Sequence, residues 1–415
     1  MNYGRLVPAD SFMGRYLSYM QSQETASAYD WWCGLFCIST ACARNAYVDR
    51  PRAPVYLNLY IVLVGESGIP RKTTSVNTAT RLVRGVVGQH SDVGHIDAKV
   101  TPEKLDELLH SRTMEHGSAQ LCVTVPELAV FLGTERYIAH MPTLLTDLYD
   151  CPAARDGGGT LARGAVVQRN VWLSFLSAST PVWLLKTVNP NVIEGGFTSR
   201  CYFIVSNTPK RNIAWPEETD RHLWQDLQDD MAILSQEARQ RKVIRLDINA
   251  LAAFSRWYAM RARALDPFKQ SFEAREDAHV LRVAALLCIN DGSWHIKRSH
   301  IAIAIRLIQE LKQTSSGIFE STERTTKYAL ALDRIRSSLV STGMDPVPRN
   351  RLYAHVRPHL AHEEFMSLIE VLHEIGAIQR FEYRSGERGR PTDFIRGTNL
   401  LLSRGLGEAV LERFT

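Results

Sequence analysis

The sequence has no apolar run approaching the about 20 residues of a membrane span, and its first residues carry no apolar secretory core. A membrane-embedded or exported chain is therefore not expected, and the expected compartment is the reducing cytoplasm. The seven cysteines form an odd set without a CxxC pair, which argues against a disulfide framework and against a zinc module. Cys33, Cys37 and Cys42 are spaced like small residues along a helix. Internal repeats and low-complexity tracts are absent as well. Charge is close to balanced: a net +5 over 415 residues is compatible with a nucleic-acid partner but does not require one. The 45% hydrophobic content is that of an ordinary globular protein, enough for one large domain and smaller ones.

What is present follows a definite order along the chain. Residues 1–56 read as a helical N-terminal region, in which "SFMGRYLSYM" and "AYDWWCGLFCISTACARNAYV" are amphipathic or largely apolar. Between 57 and 210 apolar runs alternate with helical segments, as a parallel α/β sheet requires. The candidate strands are 59–64, 120–125, 170–179 and 199–206, and their near-continuous apolar character suits a sheet covered on both faces. The polar, proline-bearing "NTPKRNIAWPEETD" marks a boundary. Residues 211–320 form the next region, which from 221 onward reads as entirely helical. Residues 321–415 read as three helices and a β-hairpin.

The stretch "LNLYIVLVGESGIPRKTTSVNTATRL" (57–82) places a buried-type strand before a glycine-containing loop, with Lys72-Thr73-Thr74 opening a helix. Phosphate-binding loops share this plan. Backbone N–H groups and a helix N-terminus surround the β-phosphate, a lysine reaches the β/γ-phosphates, and a Ser or Thr hydroxyl holds Mg²⁺. The spacing departs from G-x-x-x-x-G-K-[ST]. Counted from Gly65, Pro70 and Arg71 stand where the second glycine and the lysine belong; counted back from Lys72, Glu66 and Arg71 stand in the two glycine places. Pro70 removes an N–H donor and Arg71 adds bulk, while Gly65 and Gly68 supply backbone freedom. An ordinary strand-turn-helix with a solvated basic pair is the alternative.

ATP hydrolysis also needs a carboxylate at the end of a neighbouring strand, and often an arginine against the γ-phosphate. Glu127 follows the strand "QLCVTV", with Pro126 where a Mg²⁺-associated aspartate would stand. A third strand ends in Ser177, Ser179 and Thr180, which either sense the γ-phosphate or cap the next helix. Arg200 follows Gly195-Gly196 at the start of a fourth strand, a position that suits either a finger for a neighbouring subunit or a structural strand-edge arginine.

Taken in order, "GESGIPRKTT", "TVPELAVFLG", "LTDLYDCP", "LSASTPVWL" and "GGFTSRCYFIVS" resemble successive motifs of the phage and plasmid P-loop ATPases grouped as the DUF3987 family, which are related to the RecA/DnaB-type and primase-associated helicases. The resemblance runs from about residue 15 to 320. It implies an α/β fold with a RecA-like P-loop NTPase core, helical N-terminal and lid regions, and ATP and Mg²⁺ as ligands. By the same resemblance Gly65, Gly68, Arg71, Lys72, Thr73, Thr74 and Ser179 hold nucleotide, and Thr73 (or Thr74) holds the metal. Glu127 is then the catalytic carboxylate, Arg200 the trans finger, and Asp147 and Asp150 metal or water helpers or plain helix-surface carboxylates. Helices over 275–292 and 296–313 are expected to close as a lid. Arg275 or Arg282 would then contact phosphate, unless they snorkel from a packed core helix.

In the tail, Phe365, Leu368, Ile369, Leu372 and Ile375 have helical spacing, and "QRFEYRSGERGRPTDFIRG" reads as a two-stranded wing. Three helices and a wing make a winged helix-turn-helix domain. Arg384, Arg388 and Arg390 are its DNA-binding candidates, beside Arg380 and Arg396, while Glu363, Glu364, Glu370 and Glu374 on the third helix would repel phosphates. The glycine-rich "ARDGGGTLARGAVVQRN" (154–170) is either a second candidate, with Arg155, Arg163 and Arg169 tracking phosphates, or a disordered surface loop. The expected function is an ATP-driven DNA helicase or translocase of a phage or mobile element. It would act on single-stranded DNA as a homo-oligomer, a hexameric ring, alongside other replication proteins. An ATP-dependent loader or switch without unwinding, and a DNA-binding scaffold with a degenerate pocket, are the alternatives.

Overall fold

The computed structural model describes residues 3–89, 92–132, 140–157, 166–187, 196–215, 220–241, 243–261, 271–383, 392–402, 406, 410 and 413. The chain divides into two compact units, Met1–Ser316 and Gly317–Thr415. The regions read separately as 1–56, 57–210 and nearly all of 211–320 share the first unit.

That unit opens with helices α1 (Phe12–Tyr19) and α2 (Ser27–Cys42) and a short pair, β1 (Tyr47–Val48) and β2 (Val55–Tyr56). Strand β3 (Tyr60–Val64), helix α3 (Lys72–Gln89), strand β4 (Val93–Ile96), helix α4 (Pro102–His116) and strand β5 (Gln120–Val125) alternate after it. Helices α5 (Leu128–Leu132) and α6 (Met141–Tyr149) precede the hairpin β6 (Ala154–Gly157) and β7 (Val166–Arg169). Strand β8 (Trp172–Ser179), helix α7 (Pro181–Thr187) and strand β9 (Cys201–Val205) complete the α/β part. The chain continues as α8 (Arg221–Arg241), β10 (Val243–Leu246), α9 (Ile248–Ala259), α10 (Glu276–Asn290), β11 (His295–Ile296) and α11 (Arg298–Ser341), within which the division between units falls.

The fold is α/β. Five parallel strands form the main sheet in the order β4-β5-β8-β3-β9. Val64 lies level with Ser179 and Val205, and Val125 with Ser177, so β3, β8 and β5 end side by side. Crevices at the C-terminal ends of parallel strands are where open α/β sheets bind ligands. The four strands expected from apolar runs are present within the expected spans. Strand β4 is an addition, because "VGHI" is too short and polar to stand out.

Helix α2 is apolar around its whole circumference, the mark of a core helix. Trp31, Cys33, Phe36, Cys37 and Ile38 are inaccessible, and the helix packs on α3, α8, α10, β8 and β9. Burying each large apolar side chain contributes about 1.5–3 kcal/mol. All seven cysteines are free and buried, and burial pushes the Cys42 and Cys122 thiols up to about 12, so they act as packing residues.

Two expectations need correction. Residues 221–320 are not entirely helical: β10 and β11 join β1 and β2 in a small sheet, β11-β10-β1-β2. These strands are only two to four residues long, too short to display a period. Helix α10 is also no lid. It is buried along its length against α2, β1 and β2, and none of its residues lines the cleft described below. Every residue of it but Ala278 is buried, charged ones included, which is the mark of a core helix.

The second unit contains the end of α11, then β12 (Val347–Pro348), α12 (Arg349–Val356), α13 (His362–Glu374), β13 (Ile378–Tyr383) and β14 (Thr392–Gly397). The strands form an antiparallel sheet in the order β12-β14-β13, and Phe381 stands opposite Phe394 in the expected hairpin. Phe365, Leu368, Ile369 and Leu372 build its core with Ile335, Leu339 and Leu352. Arg384, Arg388 and Arg390 lie outside the described residues. Asp393 pairs with Arg349 and stands 4.0 Å from Arg380, whereas Arg396 is exposed. On α13, Glu363, Glu370 and Glu374 are exposed and Glu364 binds Lys327 at 2.6 Å.

Candidate functional site

Strand β3 is buried throughout, and the loop that leaves it is pinned from below. The Tyr29 hydroxyl, on α2, lies 2.7 Å from the carbonyls of both Val64 and Ser206, which joins the ends of β3 and β9. The Gly65 N–H donates to the Ser179 carbonyl at 3.3 Å. A Cβ on Gly65 would come within 2.3 Å of the Ser206 carbonyl oxygen, so the position admits only glycine.

Arg71 adopts φ 48°, the left-handed region that glycine favours, and α3 begins at the next residue. Arg71 thus holds, just before Lys72, a backbone conformation that glycine would adopt without strain. Arg71 Nη2 and Nε bind the Glu24 carboxylate at 3.1 and 3.2 Å.

Lys72 Nζ donates to the Gly65 carbonyl at 2.5 Å and the Glu66 carbonyl at 2.7 Å, curling over the loop. Partial burial lowers its pKa from the ordinary lysine value, with Glu66 opposing. In the first turn of α3 the Thr74 and Ser75 N–H groups donate to the Arg71 carbonyl at 3.1 and 3.4 Å, and the positive end of the helix dipole faces the loop.

A cleft of about 380 Å³ opens here. Its loop side is lined by Gly68, Arg71, Lys72, Thr73 and Thr74, and its far side by Pro126, Glu127, Ser179 and Thr180. Glu127 is exposed in the turn between β5 and α5, where its carbonyl accepts from the Val130 N–H at 3.0 Å. Its carboxylate makes no ion pair with any described residue. The polar cluster after β8 divides its roles. The Ser177 hydroxyl is buried and donates to the Val125 carbonyl, Thr180 Oγ1 caps α7 by accepting from the Trp183 N–H, and Ser179 lines the cleft with its hydroxyl donating to the Thr180 carbonyl at 3.1 Å.

Arg200 is not brought to this cleft. It ends a 3-10 turn, Thr198–Arg200, just before β9, and therefore lies at the N-terminal end of the sheet. A five-residue strand rises about 3.3 Å per residue, so about 16 Å separates it from the loop end. Arg200 is 8% exposed, and its guanidinium donates to the Gly196 carbonyl at 2.8 Å and pairs with Asp150 at 3.5 Å. Gly195 lies outside the described residues. Asp147 is exposed on α6. In the 154–170 segment Arg155 is held by Asp106 at 2.6 Å and Arg169 is exposed, while Arg163 lies outside the described residues.

Several contributors carried no sequence signal. Trp183 lines the cleft, and Tyr29 reaches the loop from 35 residues upstream. Lys210 sits in the polar stretch read as a boundary, yet its ammonium is buried 2.6 Å from Asp30. Ser75 Oγ, in α3, donates to the other Asp30 oxygen at 3.2 Å.

The donor set suits a phosphate ester with a hard cation. Among the described residues no group of three or more His, Cys, Asp or Glu side chains could hold a metal alone. The Thr73 hydroxyl with nearby Glu127 instead matches the habit of Mg²⁺, which takes few protein ligands and fills its shell with water and phosphate oxygens. No family model matches the sequence, and no curated protein matches it.

Proposed function

We propose that this protein binds and hydrolyses ATP with Mg²⁺ in the Lys72–Glu127 cleft, and that it uses the reaction to act on DNA as a helicase-type motor. One observation carries the reading. The loop ending in Lys72, Ser179 and Glu127 come from three adjacent parallel strands and line one cleft.

The roles follow from the chemistry of each group. The loop and the N-terminus of α3 surround the β-phosphate, and Lys72 exchanges its two loop carbonyls for phosphate oxygens. Thr73 supplies the hydroxyl for Mg²⁺, which when bound offsets the negative charge of the phosphates. Glu127, exposed at the cleft and without an ion pair among the described residues, orients the attacking water and accepts its proton. Ser179 hydrogen-bonds the terminal phosphate. Arg200 is too far away to serve its own cleft and is assigned to the cleft of a neighbouring copy. A cleft at one end of a sheet and its arginine at the other require head-to-tail contacts, which close into rings such as a hexamer. This part of the reading is a RecA-like P-loop core. The DNA component rests on the second unit, whose order of helix, strand, two helices and a hairpin is that of a winged helix, with a wing rich in arginine. Single-stranded DNA and other replication proteins are the partners this motor implies.

A second reading has an observation of its own. Pro126 stands where an aspartate would support Mg²⁺, which favours slow turnover and hence a loader or switch that assembles on DNA without unwinding it. Steady-state ATP hydrolysis by the wild type, Lys72→Ala and Glu127→Gln, with and without single-stranded DNA, separates the two. DNA-stimulated turnover abolished by both substitutions supports the motor. Nucleotide binding with negligible turnover supports the switch, and no binding at all defeats both.

A further inference from the structure

The N-terminal end of the parallel sheet carries a charge cluster that the nucleotide cleft does not use. Three guanidinium groups gather around the buried ring of Tyr149: Arg282 at 4.5 Å from its centroid, Arg200 at 5.8 Å and Arg275 at 5.9 Å. Arg275 caps the start of α10, Arg282 lies two turns further along it, and Arg200 precedes β9. Asp150, which ends α6, answers two of them. Its Oδ1 is 3.2 Å from Arg275 Nη1 and its Oδ2 is 3.5 Å from Arg200 Nη2.

The other charged groups of α10 are engaged elsewhere. Asp277 pairs with Arg50 at 2.8 Å, and Glu276 with Lys312 at 3.2 Å. His279 lies within the cluster and is neutral: burial and the nearby Arg282 push its pKa down to about 3. Its Nε2 faces the Ser199 carbonyl at 2.9 Å and so carries the proton, leaving Nδ1 to accept from the Tyr202 hydroxyl at 2.7 Å. Among the described residues, three cations thus share one anion.

Two features point to a missing anionic ligand. Arg200 Nε is a buried donor without a hydrogen bond among the described residues, on a residue that is 8% exposed. Buried guanidinium donors are normally satisfied. Asp150, by contrast, is 59% exposed and lies on the solvent side of the arginines. A carboxylate spanning two guanidinium groups presents oxygens much as a phosphoryl group does, with less charge.

We propose that Arg200 and Arg275 form a receiving site for the terminal phosphoryl group of a nucleotide held in the Lys72 cleft of a second copy of this chain, and that Asp150 is an intramolecular stand-in that keeps the site closed until that copy docks. The proposal rests on the nucleotide reading above and adds to it a second arginine and an autoinhibitory carboxylate. Docking replaces one carboxylate with a more highly charged group, so ATP hydrolysis depends on assembly. A free subunit stays silent.

The test measures ATP hydrolysis per subunit across a protein dilution series, with binding of a fluorescent ATP analogue measured separately at low protein concentration. The expected specific activity of the wild type rises with protein concentration. Arg275→Ala, a half-exposed position, lowers the plateau by about a hundredfold or more while analogue affinity stays within about twofold. Asp150→Asn shifts half-activation to a severalfold lower concentration. An equal mixture of Glu127→Gln and Arg275→Ala, each inactive alone, recovers turnover. Specific activity independent of concentration, or an Arg275→Ala plateau equal to the wild type, overturns the proposal and leaves the nucleotide reading standing. Unchanged hydrolysis with weakened binding of single-stranded DNA would instead assign the arginines to nucleic-acid phosphates. Failure of the wild type to bind the analogue sinks the underlying reading, and this one with it.

Discussion

Lys210 Nζ lies 2.6 Å from Asp30 Oδ2 in the protein interior, and this ion pair anchors the start of α3 through Ser75. Thr25 Oγ1 donates to the same carboxylate oxygen at 2.8 Å, and Ser75 of α3 donates to the other at 3.2 Å. The pair therefore ties α2, the segment after β9 and the start of α3 together. Removing one partner strands a buried charge, so Asp30→Ala and Lys210→Met are each expected to lose about 3–5 kcal/mol in urea unfolding. The double variant Asp30→Leu/Lys210→Met should recover most of that loss. Additive losses would mean that the two groups are not coupled.

Arg71 gives a test of the loop's left-handed turn. An L-residue held in the left-handed region costs about 1–2 kcal/mol, which glycine avoids. Glycine's greater freedom in the unfolded chain offsets about 0.5–1 kcal/mol of that gain, and the exposed pair with Glu24 is worth about 0–1 kcal/mol. Arg71→Gly should therefore leave stability within about 1 kcal/mol of the parent and preserve ATP-analogue binding. Arg71→Val, β-branched at φ 48°, should lose both. Equal behaviour of the two variants would remove the case that Arg71 holds a conformation suited to glycine.

The parallel sheet and the cleft were legible because their signals are local. Fully buried strands read as continuous apolar runs; Ser179 ends one of them, Glu127 stands two residues after another, and Lys72 opens the helix after a third. The left-handed turn at Arg71 was not legible, because it depends on the backbone φ and not on residue type. Tyr29, Asp30 and Lys210 were missed for a different reason. Their partners are 35 to 180 residues away, and nothing in an apolar helix or a polar connector announces such a contact. Helix α10 was misplaced as a lid because a core helix and a packed lid share the same apolar composition. Arg200 was singled out by its glycine-rich approach, but its place at the N-terminal end of the sheet and its pairing with Asp150 have no sequence pattern.

The wing offers a prediction at the level of charge. Each Lys or Arg contact to a single-stranded phosphate adds about 0.7 to the slope of log affinity against log salt. Replacing Arg384, Arg388 and Arg390 together with alanine should weaken single-stranded DNA binding and flatten that slope by about 2. The exposed Glu363 and Glu370 make a complementary case, since Glu→Gln changes there should tighten binding if α13 approaches the DNA. An unchanged salt slope in the triple variant would place DNA contact elsewhere or nowhere.

His279 makes stability fall toward acid. Its folded pKa is pushed down to about 3 by burial first and by Arg282 next, against an ordinary value of about 6.5 in the unfolded chain. The unfolded state therefore takes up the proton first. The stabilisation is fully present above pH about 6.5 and is lost progressively as pH falls from there toward the folded value, by up to about 1.4 kcal/mol per pH unit. His95, lowered to about 4 by burial and by Arg84, contributes in the same direction. Urea unfolding between pH 7 and pH 5 should show His279→Gln with a shallower pH dependence than the parent by up to about 1.4 kcal/mol per unit, whatever its loss at pH 7. Because the Gln side chain does not titrate, parallel curves for the two proteins would mean that the His279 imidazole protonates freely in the folded state, and that the cluster around Tyr149 carries one more positive charge than its geometry assigns.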